Sequence, residues 1–263
     1  MKKLLLLIAI LIITGTGIAY AYAPQYGLSS GLVGYWSLDR RTINWTLGAT
    51  DDVSGNGNGG DFINMSKSSN PAKAKNGQGI NFQVGDQSIQ LTGKGAGSLN
   101  LTGTALSMSV WVKSPLTVFN ADSTHLTIFY KGGNTSGYRF LLETNGTMIT
   151  QMSGSGVNFT TSGSSSKCTA NQWCHIVYVY DGATARVYFN NVVNSTTQSA
   201  SGNIVDSSAT TPIIGASSIG SGSSTYHLSG IEDELRIYNR ALSAQEVRAL
   251  YRQGLAGNAH LTR

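Results

Sequence analysis

The stretch at 173–193, WCHIVYVYDGATARVYFNNVV, limits what this 263-residue chain can become more than any other part of it. Side chains alternate along an extended backbone. Cys174, Ile176, Tyr178 and Tyr180 therefore fall on one face of a first strand, and Trp173, His175, Val177 and Val179 on the other. Asp181-Gly182 follows, a pair that tolerates the positive φ of a tight hairpin. Ala185, Val187 and Phe189 then alternate with Arg186, Tyr188 and Asn190. Both faces of this hairpin are apolar or aromatic, and a hairpin is not stable alone, so other layers must cover it.

Short segments of strand character separated by turn residues recur at 31–39, 79–82, 88–91, 106–113, 126–131, 138–143, 148–152, 157–161, 192–197, 212–215 and 228–238. A dozen short strands without helical periodicity predict an all-β sandwich or barrel rather than a parallel sheet with crossover helices. One helix is expected near the end. Ser243-Ala244-Gln245-Glu246 is a capping box, Leu242 and Val247 form a hydrophobic staple, and Val247, Leu250 and Tyr251 share a face before Gly254 ends the helix. A hydrophobic content of 40% is ample for a core. Lys and Arg number 18 against 13 Asp and Glu, with no basic run interleaved with aromatics, which argues against nucleic acid as a partner.

The chain opens MKKLLLLIAILIITGTGIAYAYA: two lysines, an apolar run, then small residues in A-x-A spacing. Residues 1–23 read as an export signal, either cleaved or kept as a membrane anchor at 4–23, and this is the expected membrane contact. Export places Cys168 and Cys174, the only two cysteines, in an oxidising compartment that favours a disulfide; two unpaired thiols are the alternative. Two cysteines are too few for a zinc site, and His125, His175, His227 and His260 lack metal-ligand spacing.

One loop carries a chemical pattern. Asp52, Ser54 and Asn56 put oxygen-bearing side chains at alternate positions before Gly57, the opening of a calcium loop. Position twelve is Ile63 where an EF-hand needs an acid, so an EF-hand is excluded. The segment is either part of a cation site or an Asx-turn loop that satisfies its own backbone.

Three stretches together resemble the concanavalin A-like lectin/glucanase superfamily in its laminin G-like branch. They are Gly-Leu-Val-Gly-Tyr-Trp-Ser-Leu-Asp at 31–39 with Asp-Val-Ser-Gly-Asn-Gly-Asn at 52–58, the hairpin carrying Trp173, His175, Asp181-Gly182 and Tyr188, and Gly-Ile-Glu-Asp-Glu-Leu-Arg-Ile-Tyr-Asn-Arg-Ala-Leu-Ser at 230–243. The resemblance covers 31–254, leaving a linker at 24–30 and a tail at 255–263. It implies a two-sheet antiparallel jelly-roll sandwich, one sheet curved, with ligands on the concave face or at the loop rim.

It also implies site residues. Tyr130, Tyr138, Tyr178, Tyr180 and Tyr188 are candidates for stacking on sugar rings, with strand packing as the alternative. Asp39 and Asp233 lie where related domains bring side-chain oxygens to one calcium ion, which would add them to Asp52, Ser54 and Asn56. Members include sugar readers, adhesive modules and glycosidases. Related glucanases space their acids as E-x-D-x-E, whereas Glu232, Asp233 and Glu234 are consecutive here, so alternation sets Asp233 on the opposite face from both glutamates. The expectation is an exported, non-catalytic, calcium-supported module that reads a glycan or cell-surface polymer. The alternative is a self-associating structural subunit of a surface layer or appendage, which low charge and Asn-x-Ser/Thr sequons from Asn44 to Asn194 would suit.

Overall fold

The computed structural model describes residues 27–256 apart from 84–85, 94–95, 118–124, 133–136, 153–156, 161–165, 195–196, 200, 207–209 and 218–225. The export segment expected at 1–23 lies outside the described residues.

The elements run β1 (Leu32–Trp36), β2 (Ile43–Asn44), β3 (Ala49–Thr50), β4 (Gly60–Ile63), β5 (Ala72–Lys73), β6 (Gln78–Phe82), β7 (Ser88–Gln90), a 3-10 turn at Ala96–Leu99, β8 (Leu106–Lys113), β9 (His125–Lys131), β10 (Tyr138–Glu143), β11 (Met148–Met152), β12 (Val157–Thr160), β13 (Cys174–Tyr180), β14 (Thr184–Phe189), β15 (Val192–Val193), β16 (Gln198–Ser199), β17 (Ile213–Ile214), β18 (Gly230–Tyr238) and α1 (Ala244–Ala256). They form two sheets. The first has the order β15-β14-β13-β8-β18-β6-β5, with β1 also beside β18 and β16 beside β14. The second runs β12-β11-β10-β9-β17-β7-β4-β3-β2. Every pairing among these strands is antiparallel.

The hairpin at 173–193 becomes β13 and β14, and β13 is covered on both faces. Ile176, Tyr178 and Tyr180 join Met108, Val110 and Val112 of β8 against Phe129, Phe140, Leu142 and Met148 of the second sheet. Val177 and Val179 face the other way, beneath α1, with Tyr238, Leu242, Val247 and Leu250. Sequence alternation had set these two groups apart, and each face now has its own cover. The Cys168–Cys174 disulfide forms at the start of β13, with Cα atoms 5.6 Å apart.

This placement corrects the reading of three tyrosines. Tyr138, Tyr178 and Tyr180 are at most 1% exposed and belong to the core, where no ligand can stack on them. For Tyr178 and Tyr180 the cause is the interior position of β13 in its sheet. Tyr138 stacks on Phe129 at 5.6 Å and donates its hydroxyl to Leu99 O.

The helix starts as its capping box requires. Ser243 N and Ser243 Oγ both donate to Glu246 Oε2, and Glu246 N donates back to Ser243 Oγ. It does not end at Gly254. It continues to Ala256, and Gly254 is instead a packing position against Trp111, since a Cβ there would lie 2.3 Å from Trp111 Nε1. The ring cannot yield easily, being stacked on Tyr251 at 5.5 Å and under Lys75 Nζ at 4.6 Å. The short strands β2 to β5 had no legible alternation, because two to four residues are too few to show a period.

In an exposed helix interior Ala exceeds Gly by about 1 kcal/mol. Here Gly254→Ala is expected to lower the Tm, whereas Arg252→Ala, at an exposed position of the same helix, leaves it nearly unchanged. Thermal melts followed by circular dichroism check this; a Tm raised by Gly254→Ala would contradict the helix seat.

Candidate functional site

The three consecutive acids sit in β18, whose two edges are paired differently. On one side β18 pairs with β8 along its length. On the other it pairs with β6 through Gly230–Glu232 and then with β1 from Leu235 onward. At that changeover the register with β8 steps from Asp233↔Trp111 to Arg236↔Ser109, three residues on β18 against two on β8. The extra residue is a bulge, with Glu234 at φ 57°.

The bulge overturns the alternation expected of this segment. Glu232 alone faces the core, level with Val112 and Ile80, and neither of its carboxyl oxygens has a hydrogen-bond partner. Asp233 and Glu234 both reach the β5–β6 turn: Asn76 N donates to Asp233 Oδ2 at 2.8 Å, and Asn76 Nδ2 to Glu234 Oε1 at 3.1 Å. Glu234 Oε2 also accepts from Tyr35 Oη at 2.9 Å and from Arg236 at 2.6 Å, and the Arg236 guanidinium lies 4.2 Å over the Tyr35 ring. Asp39 closes the same turn by accepting from Gln78 N at 2.8 Å.

Burial dominates the titration of this cluster. It pushes Glu232 well above the usual carboxylate range, with the neighbouring Asp233 charge adding to it. Asp233 rises from 3.8 to about 9, first through burial and then through the Glu234 and Asp39 charges, against the opposing Asn76 N–H. Asp39 is raised as well, chiefly by burial. All of Glu232, Asp233 and Glu234 are at most 4% exposed, so none presents a carboxyl group to a cleft. The arrangement locks the turn to the bulge.

The loop at 52–56 is satisfied from within. Asp52 Oδ1 accepts from Tyr35 N and Ser54 N, and Oδ2 from Ser54 Oγ, Asn58 N and Asn58 Nδ2, all between 2.8 and 3.1 Å. Asn56 Nδ2 donates to Leu32 O and Ser54 Oγ. This is the Asx-turn arrangement. Asn58, which the sequence did not single out, is fully buried and also ties Val33 O to Ser98 Oγ. Among the described residues no group of three or more His, Cys, Asp and Glu side chains is placed to hold a metal ion. Asp39 and Asp233 meet at Asn76 and Gly77, while Asp52, Ser54 and Asn56 are committed to their own loop. In this arrangement the two carboxyl groups of Asp39 and Asp233 serve the β5–β6 turn and the Asp52 oxygens accept five hydrogen bonds within and beside their own loop.

A different surface faces away from the core. On the second sheet the side chains opposite to the core fall in register across six strands: Asp61, Gln90, Ile213, Tyr130, Arg139 and Gln151. Five strand intervals of about 4.8 Å make a row roughly 24 Å long. Asp61 is exposed, Gln90, Tyr130, Arg139 and Gln151 are half-buried, and Ile213 between Gln90 and Tyr130 is buried. Arg139 Nε donates to Gln151 Oε1, which holds the guanidinium along the sheet. Tyr130 is the one expected aromatic on this face. Tyr188 lies on the first sheet, packed against the cluster beneath α1. Sequence reasoning missed Gln90, Arg139 and Gln151 as candidates; each was legible as an outward position of its strand, but their alignment was not, since register is a tertiary property.

Beyond the end of β7 and β9, a pocket of about 320 Å³ adjoins this row. It lies between Leu91, Thr92, Asn100, Lys131 and the segment Thr210 to Pro212. Thr92 donates its hydroxyl to Asp61, which joins the pocket wall to the end of the row.

Known proteins share this architecture. A family model described as Concanavalin A-like lectin/glucanases superfamily matches residues 67–248. No curated protein sequence matches the chain. Among solved structures, domain 4 of AbnA, a GH43 extracellular arabinanase from Geobacillus stearothermophilus in complex with arabinotriose, is 23% identical with TM-score 0.59, over 84% of this chain and 98% of that one. The binding domain of Paraclostridial Mosquitocidal Protein 1 is 16% identical with TM-score 0.58, over 85% of this chain and 52% of that one. Trypanosoma rangeli sialidase in complex with 2,3-difluoro-KDN is 16% identical with TM-score 0.52, over 84% of this chain and 32% of that one. The chain thus spans about half of the second protein and a third of the third. At these identities the likeness is one of fold, shared by binding domains and by an enzyme.

Carboxyl groups whose pKa is raised on folding contribute stability below their unfolded value and lose it as pH rises to the folded value. For Asp233 that window runs from 3.8 to about 9. Asp233→Asn keeps an acceptor for Asn76 N and is expected to raise the Tm at pH 8 by several degrees, a gain on the order of 1–2 kcal/mol. It flattens the loss of stability between pH 5 and 8, and Glu232→Gln flattens it further. Melts at both pH values check the slope; an unchanged slope in the double variant would refute the buried neutral acids.

Proposed function

The chain belongs to the concanavalin A-like lectin/glucanases superfamily, and from that premise we propose that it is an exported, non-catalytic module that binds a glycan along the polar row on the outer face of its second sheet. The observation that carries this reading is the row from Asp61 to Gln151. It sets one half-buried tyrosine among amide, carboxylate and guanidinium groups on a rigid strand surface. Sugar recognition uses that combination, with a ring face for C–H groups and fixed polar groups for hydroxyls. The arabinotriose complex of the structurally similar arabinanase domain supports a carbohydrate ligand class. The burial of Glu232, Asp233 and Glu234 supports binding over hydrolysis, which needs two carboxyl groups about 5 to 9 Å apart across a substrate. The disulfide supports export, because such bonds persist in oxidising compartments.

Calorimetric titration with a panel of oligosaccharides that includes arabinotriose tests the site. Tyr130→Ala is expected to weaken binding about ten-fold, near the 1.4 kcal/mol upper part of the range for an aromatic contact. Tyr188→Ala, on the other sheet, leaves it unchanged. Binding lost with Tyr188→Ala and kept with Tyr130→Ala would move the site to the first sheet. A parallel titration with chelator reads calcium support directly.

A second reading, self-association, rests on β15. This edge strand of the first sheet exposes Val192 and Val193 to 57% and 48%, and an uncharged edge invites strand addition. Light scattering would then show assemblies larger than one chain that Val193→Lys returns to monomer; a monomeric wild type would end this reading.

A further inference from the structure

We infer that the pocket beyond the ends of β7 and β9 is a subsite for the terminal ring of an uncharged sugar chain. This rests on the carbohydrate reading and adds to it a ligand class and a mode of entry.

Its size comes first. At about 320 Å³ it stands at the low end of the range of about 300–1,000 Å³ seen for small-molecule sites, room for a ring or two rather than a long segment. Its inner wall is the core itself, since Leu91 is fully buried and Lys131 nearly so. That wall closes the pocket on one side, so the end of a sugar chain can seat against it. The rest of the chain then leaves past Thr92 and Asp61 onto the row, which those two residues join.

Its chemistry comes from the lining. Thr92, Thr210, Thr211 and Asn100 supply hydroxyl and amide groups that both donate and accept, as sugar hydroxyls do. Leu91 and Pro212 supply apolar surface for C–H groups. Lys131 is the one charged residue of the lining, and its charge is already answered. Its Nζ lies 3.1 Å from Asp206 Oδ1, both side chains being at most 1% exposed, and it donates to Thr210 O. Asp206 Oδ2 in turn accepts from Leu101 N at 3.0 Å, so the pair is anchored. An anionic sugar would meet a cation that is already neutralised in the wall and the Asp61 carboxylate at the mouth. The pocket therefore selects against uronic and sialic acids and for neutral rings.

The test uses the full chain and titrates arabinotriose, other neutral oligosaccharides of increasing length, and uronic-acid oligosaccharides of matched length. Neutral chains are expected to bind more than ten-fold tighter than acidic ones. Affinity per mole of chain levels off once the row is covered, because each chain has one such terminus, whereas internal recognition would keep rising with length. Thr211→Trp, which fills the pocket, and the milder Asn100→Ala are both expected to weaken binding at least five-fold, with melting curves reporting whether each variant folds. Unchanged affinity in folded Asn100→Ala and Thr211→Trp overturns the subsite while the row reading stands. Tighter binding of acidic chains overturns the ligand class. Failure of the wild type to bind any sugar removes the carbohydrate reading and this inference together.

Discussion

The arrangement of layers depends on β13, a strand with no face suited to water. Tyr178 and Tyr180 on one side and Val177 and Val179 on the other each need a cover of different shape. The second sheet meets the first group, and α1 meets the second. Because β8 and β14 hold the two edges of β13, this strand is enclosed in every direction. Burial of this kind is the dominant favourable term in folding. It leaves the second sheet as the layer whose outer face carries no helix of this chain among the described residues.

A second constraint comes from the edge of β18. Where β18 exchanges β6 for β1 as its neighbour on one edge, its register with β8 on the other edge steps by one residue at the Glu234 bulge. A positive φ at a residue with a Cβ carries strain of about 1–3 kcal/mol. The Glu234 contacts to Arg236, Tyr35 and Asn76 offset it. The same turn of chain explains why Asp39 comes close to Asp233, although they lie near opposite ends of the described chain. Their shared task is to seat the β5–β6 turn, where Gly77 leaves room for the Asp39 carboxylate: a Cβ there would lie 2.4 Å from its Oδ1. In three dimensions Asp233 and Glu234 are buried and, with Asp39, hold the turn against the bulge.

Much of the fold was legible because local patterns and global packing agree. The capping box at Ser243 predicted the helix start to the residue, the strand character of 106–113 predicted β8, and the expectation of export with two cysteines predicted their bond. The site was less legible. Aromatic residues in strands are ambiguous between core and surface, since both faces of a two-layer body draw on the same residue types. Tyr138, Tyr178 and Tyr180 went inward, Tyr188 went beneath the helix, and Tyr130 stayed outside. Nothing in the flanking residues separates Tyr130 from Tyr138; the difference lies in the bulge of β9, where Ile128 and Phe129 both enter the core and reverse the parity of the residues after them.

The sequence by itself determined the class of structure: a two-layer antiparallel β body with one capped helix, because the period of the side chains and the chemistry of turns and caps act over a few neighbouring residues. Only the tertiary structure decided which acids are buried, which tyrosine is open, and that six residues from six strands stand in one line. Those outcomes depend on bulges and strand register, and each of these is set by partners dozens to hundreds of residues away, whose contact no local pattern encodes.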